Sequence, residues 1–296
     1  MSDSIFRTAE GQRLISLLNP MSMIGNLLAR RELTWKFAKR DLAVKYRASY
    51  FGMLWTVFSP ILLLIVYTLI LSVILGLKWQ ADRPGNHGDF AIKMFIGMLI
   101  FNVFSEVLNR SSTLVISHPS YVKKVVFPLE VLVPSVLISS LISMLVGLLV
   151  WLVASFFMIG WPTWMALLFP IVILPICLLT LGLGWFIASL GVFIRDVSQI
   201  VMVLTQILFL CTPIFYPIEL VEQKVMEHKV PAFILTMIEL NPLTPAIENA
   251  RAVMICGWDR LPDWMGWGVS LIVSTIVALL GYAFFLKSRR AFGDVI

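Results

Sequence analysis

Groups that can ionise, ligate a metal or act as a nucleophile are scarce in this chain of 296 residues, where only 14% are Asp, Glu, Lys or Arg. Ordinary soluble domains carry about 25%. There are three histidines, His87, His118 and His228, and they fall in three separate loops, too dispersed for a metal cluster or a base triad. Of the three cysteines, Cys177 and Cys211 lie inside apolar runs and only Cys256 lies outside one. That distribution excludes a disulfide framework and leaves them as small apolar packing residues. No G-x-x-x-x-G-K-[ST] segment occurs, so ATP is not held by a phosphate loop of this chain. No catalytic residue and no metal ligand can be assigned, and no cofactor is expected to bind here. The apolar runs also lack the mid-membrane ionisable residues that mark proton- or ion-coupled carriers.

What the chain has instead is hydrocarbon: 59% of its residues are hydrophobic. Ala48–Leu77 is an uncharged run of 30 residues, Val131–Ile194 of 64, Val197–Ile218 of 22 and Trp264–Leu286 of 23. About 20 apolar residues at 1.5 Å each cross the hydrocarbon layer, so the chain reads as an all-α integral membrane protein. The 64-residue run must be two helices, and its break falls at Gly160-Trp161-Pro162-Thr163-Trp164, where Gly and Pro interrupt the helix and tryptophan favours the headgroup region. A further span over 90–114 contains Lys93, Glu106 and Arg110. Entering from outside at Phe90, it puts Glu106 about 24 Å along the helix, near the inner interface. The expected spans are therefore 51–77, 90–114, 131–159, 165–191, 197–218 and 264–286. Glu106 and Arg110 stand i, i+4 with the acid first, the better-pairing order. A structural ion pair at a helix end and a latch for the inner mouth are both open readings.

Residues 24–47 precede the first span as a basic, amphipathic segment expected to lie on the membrane surface, and 1–23 form an N-terminal arm for which no reading is assigned. That arm shows no apolar core or small-residue cleavage site, so the first span is expected to serve as its own insertion signal. With both termini in the cytoplasm, 16 of the 23 basic residues fall on the inner side, as the positive-inside rule requires. The pI of about 9.3 then reflects topology and anionic lipid, and no nucleic-acid partner is needed.

Three loops stand out. Between the second and third spans, Pro119 and Pro128 bracket about two helical turns, Ser120–Phe127, with a serine able to cap the start and Lys123 and Lys124 in the second half. A short helix, apolar on Tyr121, Val122, Val125 and Phe127, suits a groove on a cytoplasmic partner; a solvated turn bearing positive-inside lysines is the competing reading. The next inner loop, at Arg195-Asp196, is shorter still. The 45-residue outer segment Glu219–Asp263 is too long to be structureless, and its apolar patches are too short to span. Re-entrant or interfacial helices are expected there, as a cap on the bundle or as the lining of an outer exit.

Several blocks in order carry a resemblance. Arg30-Arg31-Glu32-Leu33, Lys39-Arg40-Asp41-Leu42, Lys45-Tyr46-Arg47, Ser49-Tyr50, Gly52-Met53-Leu54-Trp55 and Ser59-Pro60 open it. Val122-Lys123-Lys124-Val125-Val126-Phe127-Pro128, Arg195-Asp196-Val197, Thr212-Pro213-Ile214-Phe215-Tyr216-Pro217, Asn241-Pro242-Leu243 and Ser288-Arg289-Arg290-Ala291-Phe292 follow. From about Ile24 to the C-terminus the chain resembles ABC-2 type polysaccharide export permeases, the exporters of O-antigen, capsule and teichoic acid, with 48–296 as the transmembrane domain. The resemblance implies a homodimer enclosing a channel in the bacterial inner membrane, driven by two copies of a separate ATP-binding subunit that binds ATP and Mg. Ser120, Tyr121, Val122, Lys123, Lys124, Val125, Phe127, Arg195 and Asp196 become the coupling residues. The cargo implied is a polysaccharide on undecaprenyl pyrophosphate or a similar lipid. Arg40, Lys45 and Arg47 offer charge for its pyrophosphate or, equally, for anionic membrane lipid. Trp55, Phe58, Tyr67, Phe209, Phe215 and Tyr216 are candidate channel aromatics, with lipid-facing or packing roles as the alternative. Two other functions stay open: a drug or small-molecule export permease of the same fold, and a membrane-embedded glycosyl or acyl transferase, against which the absence of a carboxylate or histidine cluster on one face counts.

Overall fold

Inside hydrocarbon no water is available to a peptide group, so each backbone amide must be satisfied by its own segment, and apolar runs become helices. In the computed structural model, residues 20–46, 50–51, 54–74, 76, 79, 87–122, 127–162, 164–255 and 262–295 are described, and every regular element among them is helical. The elements are α1 (Pro20–Ala29), α2 (Arg31–Tyr46), α3 (Trp55–Tyr67), α4 (His87–Leu114), α5 (Pro119–Val122) and α6 (Leu132–Met158). They continue as α7 (Leu174–Phe193), α8 (Val197–Cys211), α9 (Ile218–Met226), α10 (Ala232–Glu239), α11 (Leu243–Met254), α12 (Trp264–Ser288) and α13 (Phe292–Val295). The chain is an all-α integral membrane protein.

Four stretches are long and apolar enough to cross a bilayer: Phe90–Leu114, Leu129–Met158, Trp164–Phe193 and Trp264–Val295. Trp55–Leu71 and Val197–Cys211 are apolar but shorter. α8 stops seven residues before the expected end of its span for a local reason. Pro213 has no N–H and disfavours helical backbone in the residue before it, and Thr212 is extended at φ −88, ψ 138. α3 contains Pro60 and runs on as a π-helical stretch, Thr68–Ile74. The expected break in the long run is present: Gly160 sits at φ +117, a conformation open to glycine, and the amides of Ile159 and Gly160 both donate to the Ser155 carbonyl at 2.8 Å. The surface segment is two helices rather than one, divided at Arg30, whose carbonyl accepts from the amide and the hydroxyl of Thr34.

α4 is the central helix, with Ala91, Ile92, Met94, Ile96 and Val107 fully enclosed. Lipid tails give helices no hydrophobic reason to associate, so close packing through small residues does that work. A Cβ on Gly182 of α7 would lie 2.5 Å from the Val277 carbonyl of α12, and one on Gly281 would run into the Gly182 backbone. Gly191 meets the Ser112 carbonyl in the same way, which brings the end of α7 to the end of α4. The buried indoles of Trp151 and Trp185 donate to the carbonyls of Ile92 and Glu130, each at 3.0 Å. Burying those rings therefore strands no polar atom.

The bundle has two unlike ends. One gathers α1, α2, α5, the Arg195-Asp196 turn and the C-terminus: Arg30 and Arg289 both ion-pair with Glu130, which is 3% exposed, with Arg289 Nη1 2.7 Å from Oε2. The other end carries the Gly160 turn and α9–α11. There the expected local folding is seen, and α11 is enclosed on nearly every side.

Candidate functional site: the basic end of the bundle

α2 holds the loop helix. The ring of Phe37 meets those of Tyr121 and Phe127, each at 5.4 Å between centroids, and Tyr121 stacks on Phe127 at 4.6 Å. Arg40 lies 4.5 Å above the Phe37 ring, and its Nη1 donates to the Tyr121 hydroxyl at 2.5 Å. A guanidinium over an aromatic face adds electrostatic attraction to the packing. The helix expected over Ser120–Phe127 is described only as Pro119–Val122; Lys123, Lys124 and Val125 lie outside the described residues. Tyr121, Val122 and Phe127 are half-buried against the bundle, whereas Ser120, Arg195 and Asp196 are exposed. Three of the apolar positions expected to face a partner thus pack on their own chain.

One residue further along α2, Asp41 receives a bidentate grip from Arg110 near the end of α4, with Nη1 2.7 Å from Oδ2 and Nη2 on Oδ1. Arg110 Nη1 also reaches Glu106 Oε1 at 3.4 Å, and Lys45 Nζ reaches the same oxygen at 2.8 Å. The pair anticipated between Glu106 and Arg110 exists, but as the weaker side of a four-residue network that locks α2 to α4. Burial pushes the Asp41 carboxyl up, while the hydrogen bonds and charge of Arg110, with the charge of Lys45 nearby, outweigh it and hold it below its ordinary value. Asp41 therefore stays ionised at neutral pH. Arg40 and Lys45, offered above as carrier-binding charges, are both engaged within the chain; Arg47 lies outside the described residues.

Beside the network a cleft of 380 Å³ opens between α3, α4 and α6, lined by Lys45 and Glu106 together with Trp55, Ser59, Asn102, Ser105, Ser140 and Ser143. Asn102, Ser105 and Asn109 are spaced i, i+3, i+7, a polar stripe down α4, and Asn109 Nδ2 donates to Thr205 Oγ1 of α8 at 3.1 Å. The six candidate aromatics divide into three settings. Trp55 and Phe58 are exposed and meet Phe51. Tyr67, Phe209 and Phe215 pack together and onto Phe101, with centroids 5.0–5.7 Å apart. The Tyr216 hydroxyl turns back to the Leu210 and Cys211 carbonyls at the end of α8.

At the opposite end Arg251 of α11 is wholly buried. It donates to the carbonyls of Lys93, Pro213 and Ile214 at 2.8–3.1 Å and to Glu248 Oε1 at 2.7 Å, and its guanidinium lies 4.4 Å over Trp79. One side chain thereby ties α4, the segment after α8, the loop before α4 and α11 together.

The model of the ABC-2 type transporter family matches residues 32–255, which takes in α2, the loop helix, the cleft and α11. The chain belongs to the ABC-2 type transporter family. Within that family it is similar to an O-antigen export system permease protein RfbA of Myxococcus xanthus, at 28% identity over 274 residues, covering 93% of this chain and 99% of the relative. A permease of the same name from Klebsiella pneumoniae is 24% identical over 259 residues, covering 87% of this chain and 92% of its own. As an ABC-2 chain it owes its site to residues of two kinds of legibility. Arg40 and Asp41 stand in a block that carries the resemblance, and Tyr121 among the coupling residues that the resemblance implies. Glu130 and Arg251 do not stand out in sequence; the one available signal is that each is a charge next to, or within, an otherwise apolar stretch, where an unpaired charge is costly.

Proposed function

We propose that this chain is the membrane-spanning subunit of an ATP-driven exporter that moves a lipid-linked polysaccharide of the O-antigen kind out of the cytoplasm. The observation that carries the reading is similarity along nearly the whole chain to permeases named for O-antigen export. Two copies of the chain enclose the path, and two copies of a separate ATP-binding subunit bind ATP and Mg and drive it; the chain itself is not an enzyme. The protein lies in the bacterial inner membrane with the α1–α2 end and both termini in the cytoplasm. Cargo arrives on undecaprenyl pyrophosphate or a similar carrier.

The joint at the basic end supports this coupling. ATP closes the partner dimer and displaces α5; the rings of Tyr121 and Phe127 push on Phe37 and Arg40; Asp41, the next residue of α2, passes the movement to Arg110 and the end of α4. Tyr121→Phe removes the hydrogen bond from Arg40 and keeps the ring contact, and Arg40→Gln removes both. Surface glycan is expected to fall a few-fold in the first and about tenfold in the second, with the partner's ATP hydrolysis retained in purified complex. Equal loss of hydrolysis and export would show instead that the subunits no longer assemble.

The test of the function is a deletion strain combined with co-purification. Loss of the chain should trap lipid-linked glycan inside the cell, and the tagged chain should bring down an ATP-binding subunit. Normal surface glycan with raised drug sensitivity would move the chain to the small-molecule exporters. Transferase activity of the purified chain without ATP or a partner would overturn both.

A further inference from the structure

A groove of 470 Å³ runs between the α1–α2 corner and α6, at the end we assign to the cytoplasm. It is lined by Leu27, Leu28, Thr34, Trp35, Pro134 and Ile138, together with Arg31 and Glu32. Arg31, Trp35 and Lys39 follow one another at i, i+4 and i+8, a single stripe along α2. Lys39 Nζ lies 5.2 Å from the Trp35 ring centre.

The charges of the surface helices are not equivalent. Arg30 is committed to Glu130, Arg40 to Tyr121 and Lys45 to Glu106. Arg31, Lys36 and Lys39 are exposed, and among the described residues none of them has an ion pair with a carboxylate. Glu32 is the acid among the lining residues. Two cations spaced along a tryptophan, beside a largely apolar slot next to a basic surface helix, match an amphiphile with an anionic head and a hydrocarbon tail.

We propose that the groove seats one anionic phospholipid of the inner leaflet, with an acyl chain between Trp35 and Ile138 and its phosphate between Arg31 and Lys39. The stripe occupies a different face of α2 from Phe37 and Arg40, which hold the loop helix. The lipid therefore sets the height and tilt of α2 without competing with the joint, and α2 carries that position on to Tyr121 and Arg110. The site makes no use of the cargo reading and stands or falls apart from it.

The test is native mass spectrometry of the full chain purified in mild detergent and exchanged with phosphatidylglycerol or phosphatidylethanolamine. Phosphatidylglycerol is expected to be retained at least fivefold better. Arg31→Gln with Lys39→Gln should erase that preference, Ile138→Trp should lower retention of both lipids, and Lys36→Gln should change neither. Equal retention of the two lipids by the unmodified chain would overturn the proposal, whatever the variants do. So would full retention of phosphatidylglycerol by the double variant. Displacement of phosphatidylglycerol by an equal concentration of undecaprenyl phosphate would overturn it too, because the groove would then belong to the glycan carrier.

Discussion

Arg251→Ala is expected to cost about 5 kcal/mol and to remove most folded protein from the membrane. Its guanidinium satisfies three backbone carbonyls and Glu248 from a position with no solvent exposure. Deleting one partner of a buried ion pair costs about 3–5 kcal/mol, and each buried acceptor left without a donor adds about 1–3 kcal/mol. Against a typical total stability of about 5–15 kcal/mol, such a loss is close to complete. Arg251→Lys keeps the charge but not the planar fork, so it should recover only part of the stability. Glu248→Gln keeps the three carbonyl bonds and should be the mildest of the three. Thermal denaturation of the detergent-purified chain, followed by size-exclusion profile, gives the ranking. An Arg251→Ala protein as stable as the parent would show that α11 is held by its apolar face alone.

The second large effect is expected on transport. Arg110→Gln takes away the cation that hydrogen-bonds both Asp41 and Glu106, weakening the tie of α2 to α4 and leaving two carboxylates with less positive charge between them. Export should fall more than tenfold, with the protein still present in the membrane, because these groups are half-exposed and water can solvate them. Glu106→Gln should be far milder, since the bidentate Arg110–Asp41 contact survives. The exchange Asp41→Arg with Arg110→Asp should recover export in part if the link is mechanical. Normal surface glycan in Glu106→Gln with Arg110→Gln would remove the latch from the mechanism and leave a helix-end ion pair.

Much of the fold was legible because hydrocarbon imposes a one-dimensional rule. A run of about 20 residues without charge is a span, a Gly-Trp-Pro-Thr-Trp break divides two of them, and a 45-residue loop with short apolar patches must fold locally. Four of the six expected spans have counterparts in α4, α6, α7 and α12, the break in the Gly160 turn and the local folding in α9–α11, whereas Trp55–Leu71 and Val197–Cys211 are shorter than the spans expected there. Where the reading overreached, proline or a local turn intervened: α8 ends before Pro213, and the surface helix breaks at Arg30. Of the loop helix expected over Ser120–Phe127, Pro119–Val122 is helical, 123–126 lie outside the described residues, and the rings of Tyr121 and Phe127 turn to Phe37 of the same chain.

The charges were the least legible part. Arg40 and Lys45 read as surface cations awaiting a phosphate, yet Tyr121 and Glu106, which occupy them, are 81 and 61 residues away. Arg251 lies within Glu219–Asp263, the segment read as an outer loop, and nothing in its spacing marks it as buried. Spacing along a chain reports neighbours on the same helix, up to about eight residues apart, and so it found Glu106 with Arg110. It carries no information on pairs formed between helices.

Sequence by itself therefore determined that this is a membrane protein, where four of its long apolar helices run, and, through ordered motifs, its ABC-2 family. Only the tertiary structure decided which charges are committed to an ion pair and which are not, because an ion pair inside a bundle is set by helix contacts such as Gly182 on Gly281 and Gly191 on Ser112. Those contacts fix which faces meet, and with them whether a cation is a structural tie or an open hand.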